Sequence, residues 1–268
     1  MPDPAVELPA LLEVRQLTKT FGGLRALQGI DLRIREGEIL GLIGPNGSGK
    51  TTFFNVLSGL YPATSGTIRF AGHADITRLS PHRITRQGIA RTFQNQRLFN
   101  QMTVIENVLA GLVCRTKAGL LSIVLGRRFA RGEQQAARQR AMDLLSLFGQ
   151  RLVPRHDRLA HSLSYANRRR LEIARALATE PRLLLLDEPA AGMNPTETRE
   201  LMNDIVGIRD MGVTILLIEH DMRLVKGICS RVVAFDHGIT IAEGSFAEVR
   251  SHPAVVEAYL GRRAAVLA

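Results

Sequence analysis

A parallel α/β core with a helical block set into it is the fold class this 268-residue sequence predicts, and three stretches carry the prediction. The apolar run Ile39-Leu40-Gly41-Leu42-Ile43 leads straight into Gly44-Pro45-Asn46-Gly47-Ser48-Gly49-Lys50-Thr51-Thr52, which reads as a strand, a glycine-rich loop and a helix start. The four leucines Leu183 to Leu186 end in Asp187-Glu188-Pro189, a buried central strand delivering two carboxylates at its C-terminal end. Between the two runs, from Thr103 to Thr179, the periodicity turns helical.

Taken in order, the first ninety or so residues are strand-rich. Glu13 to Thr18, Gln28 to Ile34, Glu38 to Ile43 and Thr67 to Phe70 carry short apolar or alternating patterns. Gly22-Gly23, Gly37 and Pro62-Ala63-Thr64-Ser65-Gly66 punctuate them as turns. Thr103-Val104-Ile105-Glu106 has the spacing of a capping box, Glu133 to Phe148 is a charged amphipathic helix, and Ser164 can cap a helix running to Thr179. Strand and helix then alternate again: Leu183 to Asp187, Thr196 to Met211, Thr214 to Ile218, Met222 to Cys229 and Arg231 to Phe235. No internal repeat or low-complexity tract interrupts this order.

Composition narrows the class. With 45% apolar residues the chain can bury a substantial core. No run reaches the roughly 18 uncharged apolar residues of a membrane helix, and Met1 to Leu12 lacks the basic start and apolar middle of a signal peptide, so a cytosolic location is expected. Cys114 and Cys229 have no metal-site or disulfide spacing and are expected in apolar packing. The net charge of +10 suits nucleic acid, anionic lipid or phosphorylated ligands equally. Its local knots, Arg127-Arg128, Arg168-Arg169-Arg170 and Arg262-Arg263, read either as a solvated helical surface or as docking at a membrane surface. No aromatic residues are interleaved with them, as single-strand binding would require.

The chemistry follows from residue types at fixed spacing. Glycines at 44, 47 and 49 let the backbone take positive φ and turn its N–H groups inward, forming an anion nest at a helix N-terminus. Pro45, Asn46 and Ser48 complete the loop, Lys50 reaches the β- and γ-phosphates, and the Thr51 hydroxyl, with Thr52 behind it, is the expected Mg2+ ligand. Asp187 is the candidate for the rest of the metal shell and Glu188 for polarising the attacking water. Hydrolysis of the γ-phosphate of a nucleoside triphosphate by an in-line water is the implied reaction.

At this point the residues resemble a known family, the ATP-binding subunits of ABC transporters, and within it the branched-chain amino acid importer group. Leu163-Ser164-Tyr165-Ala166-Asn167, ahead of Arg169-Arg170-Leu171-Glu172-Ile173-Ala174-Arg175-Ala176-Leu177, stands where that family has its signature motif. Arg91-Thr92-Phe93-Gln94-Asn95 matches the Q-loop, Glu188-Pro189-Ala190-Ala191-Gly192-Met193-Asn194-Pro195 the D-loop, and Ile218-Glu219-His220-Asp221-Met222 the H-loop. The tail Pro253-Ala254-Val255-Val256-Glu257-Ala258-Tyr259-Leu260-Gly261 is similar to that subgroup as well.

The resemblance implies a P-loop NTPase ABC cassette: an N-terminal antiparallel β portion, a RecA-like parallel-sheet core and an inserted α-helical subdomain. One domain over 12–262 is expected, its core about 12–95 and 180–262 and its helical subdomain about 96–179. It implies that Gln94 senses magnesium and water, that His220 contacts the γ-phosphate and that Phe21 stacks on adenine, with core packing of Phe21 as the alternative. Ser164 and Ala166 would complete the γ-phosphate site of a partner subunit. Ala166 stands where glycine is usual, and its methyl would crowd that approach if positive φ were required. The implied partners are a second ABC ATPase subunit, expected as a heterodimer, two permease chains and, indirectly, an external solute-binding protein, with the chain peripheral on the cytoplasmic membrane face. Phe99, Met102 and Val104 are expected either to line a groove for a permease helix or to lie in the core. An ABC-type ATPase of nucleic-acid repair or translation is the alternative function, although the sequence has none of the coiled-coil arms, zinc cysteines or tandem cassettes usual there; no nucleic-acid partner is expected. A soluble P-loop kinase would explain Lys50 and Asp187 but not Ser164, Gln94 and His220 together.

Overall fold

Alternating apolar and polar residues make a long antiparallel hairpin of Ala10–Phe21 and Leu24–Arg35, which closes at the Phe21–Leu24 pair. In this computed structural model residues 10–72, 74–93, 98–112 and 127–266 are described, and they belong to two compact units, Met1–Ile84 with Arg209–Ala268, and Thr85–Ile208. Both hairpin strands run further than their alternation predicts, because register shifts absorb residues that break the period. One shift, between Val14 and Leu17, contains Gln16 at φ 47°. Its strain is offset by hydrogen bonds, since the Gln16 N–H donates to Asp31 Oδ1 at 2.8 Å. Ser65–Phe70 and then Ala74–Asp75 extend this antiparallel sheet from the Ala10–Phe21 strand.

The same unit holds the parallel strands. Ile39–Ile43 is buried at every position and lies between Thr214–Ile218 and Arg231–Asp236, parallel to both. An uninterrupted apolar strand is what burial on both faces requires. Gly41 is needed here, since a Cβ would come within 2.9 Å of Cys229 Sγ. Burial pushes the Cys229 thiol up to about 12, so Cys229 packs as an apolar residue; Cys114 lies outside the described residues. Ile239–Gly244 adds an antiparallel edge strand, followed by the helices Phe246–Ser251 and Pro253–Val266.

In the second unit Ile89–Arg91 pairs in parallel with Leu183–Asp187. The Thr103 capping box forms as expected: Glu106 Oε2 accepts from the Thr103 N–H at 2.7 Å, and Thr103 Oγ1 from the Glu106 N–H at 3.3 Å. It starts the helix Val104–Leu112, which packs tightly on Tyr165–Leu177, because a Cβ on Gly111 would lie 2.4 Å from the Arg175 carbonyl oxygen. The amphipathic helix spans Arg127–Ser146, earlier at both ends than its charge pattern predicts, and Pro195–Asp210 follows the second carboxylate strand. The Arg168 to Arg170 knot is not the solvated face its composition suggests: Arg169 and Arg170 are fully buried. Arg170 reaches Asp204 at 2.7 Å and Glu200 at 3.3 Å.

Candidate functional site

The glycine-rich loop is shaped by its glycines. Gly44, Gly47 and Gly49 have φ of 146°, 78° and 104°. A Cβ would meet the Phe235 carbonyl oxygen at 2.2 Å from Gly44 and the Ala26 carbonyl oxygen at 2.7 Å from Gly49, whereas Gly47 has open space and is required by its φ alone. The helix Lys50–Leu57 starts immediately, with no side-chain cap and no acidic residue in its first turn. An anion is what such a helix start lacks. Lys50 is buried, and its ammonium donates to the Gly44 carbonyl at 2.7 Å, the Pro45 carbonyl at 2.9 Å and Ser48 Oγ at 3.3 Å. Those acceptors hold a charge that a phosphate can take over. Thr51, Asn46 and Gly47 are exposed.

The same unit carries Phe21 and His220. Phe21 is 41% exposed, so the core-packing alternative does not hold. Its ring meets Tyr61 edge-on with centroids 5.2 Å apart and lies 4.7 Å from Lys19 Nζ, a geometry that leaves aromatic surface for a second flat ring. His220 is exposed just past the Thr214–Ile218 strand, and its N–H donates to the buried carboxylate of Glu219 at 2.9 Å.

The second unit carries Asp187, Glu188, Ser164 and Ala166. Asp187 is 2% exposed, and its Oδ2 accepts from Arg91 at 2.9 Å, so a buried arginine fixes the carboxylate. Glu188 sits in the left-handed region at φ 47°, a strained conformation of the kind retained at functional positions. Ser164 caps the helix Tyr165–Leu177, accepting from the Asn167 N–H at 3.4 Å. Ala166 lies in the first turn of that helix, buried and outside the positive-φ set, so no glycine is demanded there. Gln94 lies outside the described residues, but the segment leading to it is clamped: Phe93 donates its N–H to Glu172 Oε1 at 3.0 Å, and its carbonyl accepts from Arg169 at 2.6 Å. Arg169 also reaches Glu172 Oε2 at 2.9 Å and the Glu188 carbonyl at 3.4 Å. Arg91, Arg169 and Glu172 escape a reading of the sequence as site residues, since nothing in their spacing marks them as buried.

A nest of glycine amides at a helix start, a buried lysine and a strand ending in an acidic pair are the equipment of a nucleotide-binding cassette. Residues 27–191 match the family model described as "ABC transporter", and residues 240–265 match "Branched-chain amino acid ATP-binding cassette transporter". Over 252 residues the chain is 47% identical to the high-affinity branched-chain amino acid transport ATP-binding protein LivG of Salmonella typhimurium, covering 94% of this chain and 98% of that one. It is 44% identical over 253 residues to the corresponding protein BraF of Pseudomonas aeruginosa, with the same coverage, 94% and 98%. A crystal structure of an ATP-binding cassette of an ABC transporter in its ADP conformation superposes with a TM-score of 0.82 at 33% identity, over 94% of this chain and 99% of that one. The chain belongs to the ABC transporter family and is an ATPase of that family. Within the family it is LivG-like, in its tail as in its cassette.

Proposed function

We propose that this chain hydrolyses ATP on the cytoplasmic face of the inner membrane to drive uptake of branched-chain or related hydrophobic amino acids through partner permeases. The observation that carries the reading is the tail at 240–265, which matches the branched-chain subgroup separately from the cassette match at 27–191. Among the described residues no helix is long and apolar enough to cross a membrane; in this reading other chains supply the translocation path. Those partners are a second ATPase subunit, two permeases and a solute-binding protein. The span 12–262 acts as one ATPase domain in this reading, with 96–179 as its helical subdomain.

In the proposed site Gly44 to Thr52 cradle the phosphates, Lys50 leaves its loop acceptors for them, and Phe21 stacks on the adenine. Thr51, Asp187 and Gln94 would hold Mg2+, which supplies charge neutralisation on the phosphate oxygens. A hydroxyl and a carboxylate, Thr51 and Asp187, are hard oxygen donors of the kind Mg2+ takes alongside phosphate oxygens and water. Glu188 accepts the proton of the attacking water, and His220 holds the geometry of water and γ-phosphate. Ser164 and the first-turn N–H groups behind it, Ala166 included, face the γ-phosphate of the partner subunit's nucleotide.

The tagged chain, purified from membranes, should bring a second ATPase subunit and two permease chains with it. The ATPase rate of that complex in vesicles should rise on addition of a leucine-loaded binding protein. A chain that purifies alone, or a complex indifferent to the loaded binding protein, contradicts the reading.

A further inference from the structure

The first amide of the phosphate loop is held by the tail of the chain. The Gly44 N–H donates to the hydroxyl of Tyr259, 2.9 Å away and 215 positions later in the sequence. Tyr259 lies on the Pro253–Val266 helix, which is anchored in the core of its own unit: Val255, 4% exposed, packs with Ile43, Val225, Val232, Ala234 and Val249, and Tyr259 packs against that cluster. Ile43 is the last residue of the strand that feeds the loop, so the tail shares an apolar cluster with the strand end and reaches the next residue through a hydrogen bond.

Gly44 is a demanding place for such a contact. Its φ of 146° and the Phe235 carbonyl oxygen, 2.2 Å from where a Cβ would be, leave no room for a side chain there. Its carbonyl accepts from Lys50. Gly44 is therefore pinned twice, by the tail through its N–H and by the phosphate-binding lysine through its carbonyl. When Lys50 turns to a phosphate the second pin is released and the first stays. Burial raises the Tyr259 hydroxyl further above neutrality, so it is a neutral partner for the amide throughout the physiological range.

We propose that the C-terminal helix is a support for the phosphate loop and that Tyr259 is a positioning residue for ATP binding, holding the Gly44 amide so that the loop keeps its phosphate-binding shape after Lys50 has left the Gly44 carbonyl. The inference rests on Gly44 to Thr52 being the ATP site and gives the tail, otherwise only a mark of kinship, a task.

The test measures ATP affinity by calorimetry at 25 °C, and thermal stability alongside, on the full-length chain and three variants. Tyr259→Phe removes the hydroxyl and keeps the ring. Val255→Ala loosens the same helix without touching Gly44, and Lys50→Ala reports on the loop itself. The expected result is that Tyr259→Phe weakens ATP binding roughly threefold to tenfold, the range of one hydrogen bond, with a small change in Tm. Val255→Ala should lower Tm more yet leave ATP affinity within about twofold of wild type. Wild-type affinity in Tyr259→Phe, or losses of affinity in Tyr259→Phe and Val255→Ala that simply follow their losses of Tm, would overturn the inference while the phosphate-loop assignment stands. Undiminished affinity in Lys50→Ala would overturn the assignment and the inference with it.

Discussion

The tasks proposed for Lys50 and Glu188 are separable, and the separation is measurable. In the proposed site Lys50 gives its charge to the phosphates, and Lys50→Ala should then weaken ATP binding. With Glu188 as the proposed base for the attacking water, Glu188→Gln should bind ATP like wild type and lose about 100- to 10,000-fold in turnover, the usual contribution of a positioned base, in a steady-state assay with ATP saturating. Ala166 departs from the family's usual glycine, yet its helical φ means that no backbone strain is relieved by restoring it. Ala166→Gly should therefore leave ATPase turnover within about twofold and cost the helix roughly 0.5–1 kcal/mol in a denaturant titration. The phosphate loop and the acidic pair were legible in the sequence because their chemistry is set by residue type at fixed local spacing. Arg91 and Tyr259 were not, because their partners lie 96 and 215 positions away and were selected by tertiary packing.

At the scale of elements, the Tyr165–Leu177 helix shows why charge is a poor guide to exposure. Arg169 and Glu172 form a buried pair one turn apart, with side chains 0% and 2% exposed, and between them they hold both backbone groups of Phe93. Removing one partner strands the other charge. Arg169→Met is expected to lower unfolding free energy by about 3–5 kcal/mol in urea, and Arg169→Met with Glu172→Leu to recover most of it, since a packed apolar pair replaces the ion pair at little cost. Recovery absent from the double variant would mean that the stability resides in the bonds to Phe93 rather than in the pairing. The capping boxes behave differently. Hydrogen bonds from Thr103 and Ser245 hold the Glu106 and Glu248 carboxyls below their ordinary range. A depressed folded value stabilises fully above the unfolded carboxylate range, and the contribution is lost as pH falls through the folded value. Glu248→Gln should therefore narrow the Tm difference between pH 6 and pH 3, measured by calorimetry. Of these two boxes only the first is an expectation of the sequence. The second, with the Ile239–Gly244 strand and both terminal helices, follows a stretch whose half-buried residues give no clean period.

For the whole molecule, the order of strands and helices was readable because a parallel α/β chain must alternate them, and buried strands announce themselves as apolar runs. The meaning of the net charge of +10 was not. Arg91, Arg169, Arg170 and Arg231 enter ion pairs in which their own side chains are largely buried, so these four are neutralised by carboxylates and the excess is carried by the other basic residues. The surface does offer Phe99 and Met102, 50% and 41% exposed, while Val104 lies in the core. Buried Asn107 fixes the Phe99 backbone through both its N–H, at 3.0 Å, and its carbonyl, at 3.1 Å, presenting the ring outward. Phe99→Asp should leave ATP affinity unchanged and abolish solute-stimulated ATPase or assembly with the permeases, as read by co-purification; full stimulation would place the permease contact elsewhere. The central claim is that ATP hydrolysis by this chain drives amino acid uptake, and it is tested most directly by leucine accumulation in proteoliposomes carrying the complex that co-purifies with it, with ATP supplied on the side of this chain. Accumulation should require ATP and vanish with Glu188→Gln although that variant still binds ATP. Undiminished accumulation with Glu188→Gln, or ATP hydrolysis by the intact complex that moves no branched-chain amino acid, would contradict it.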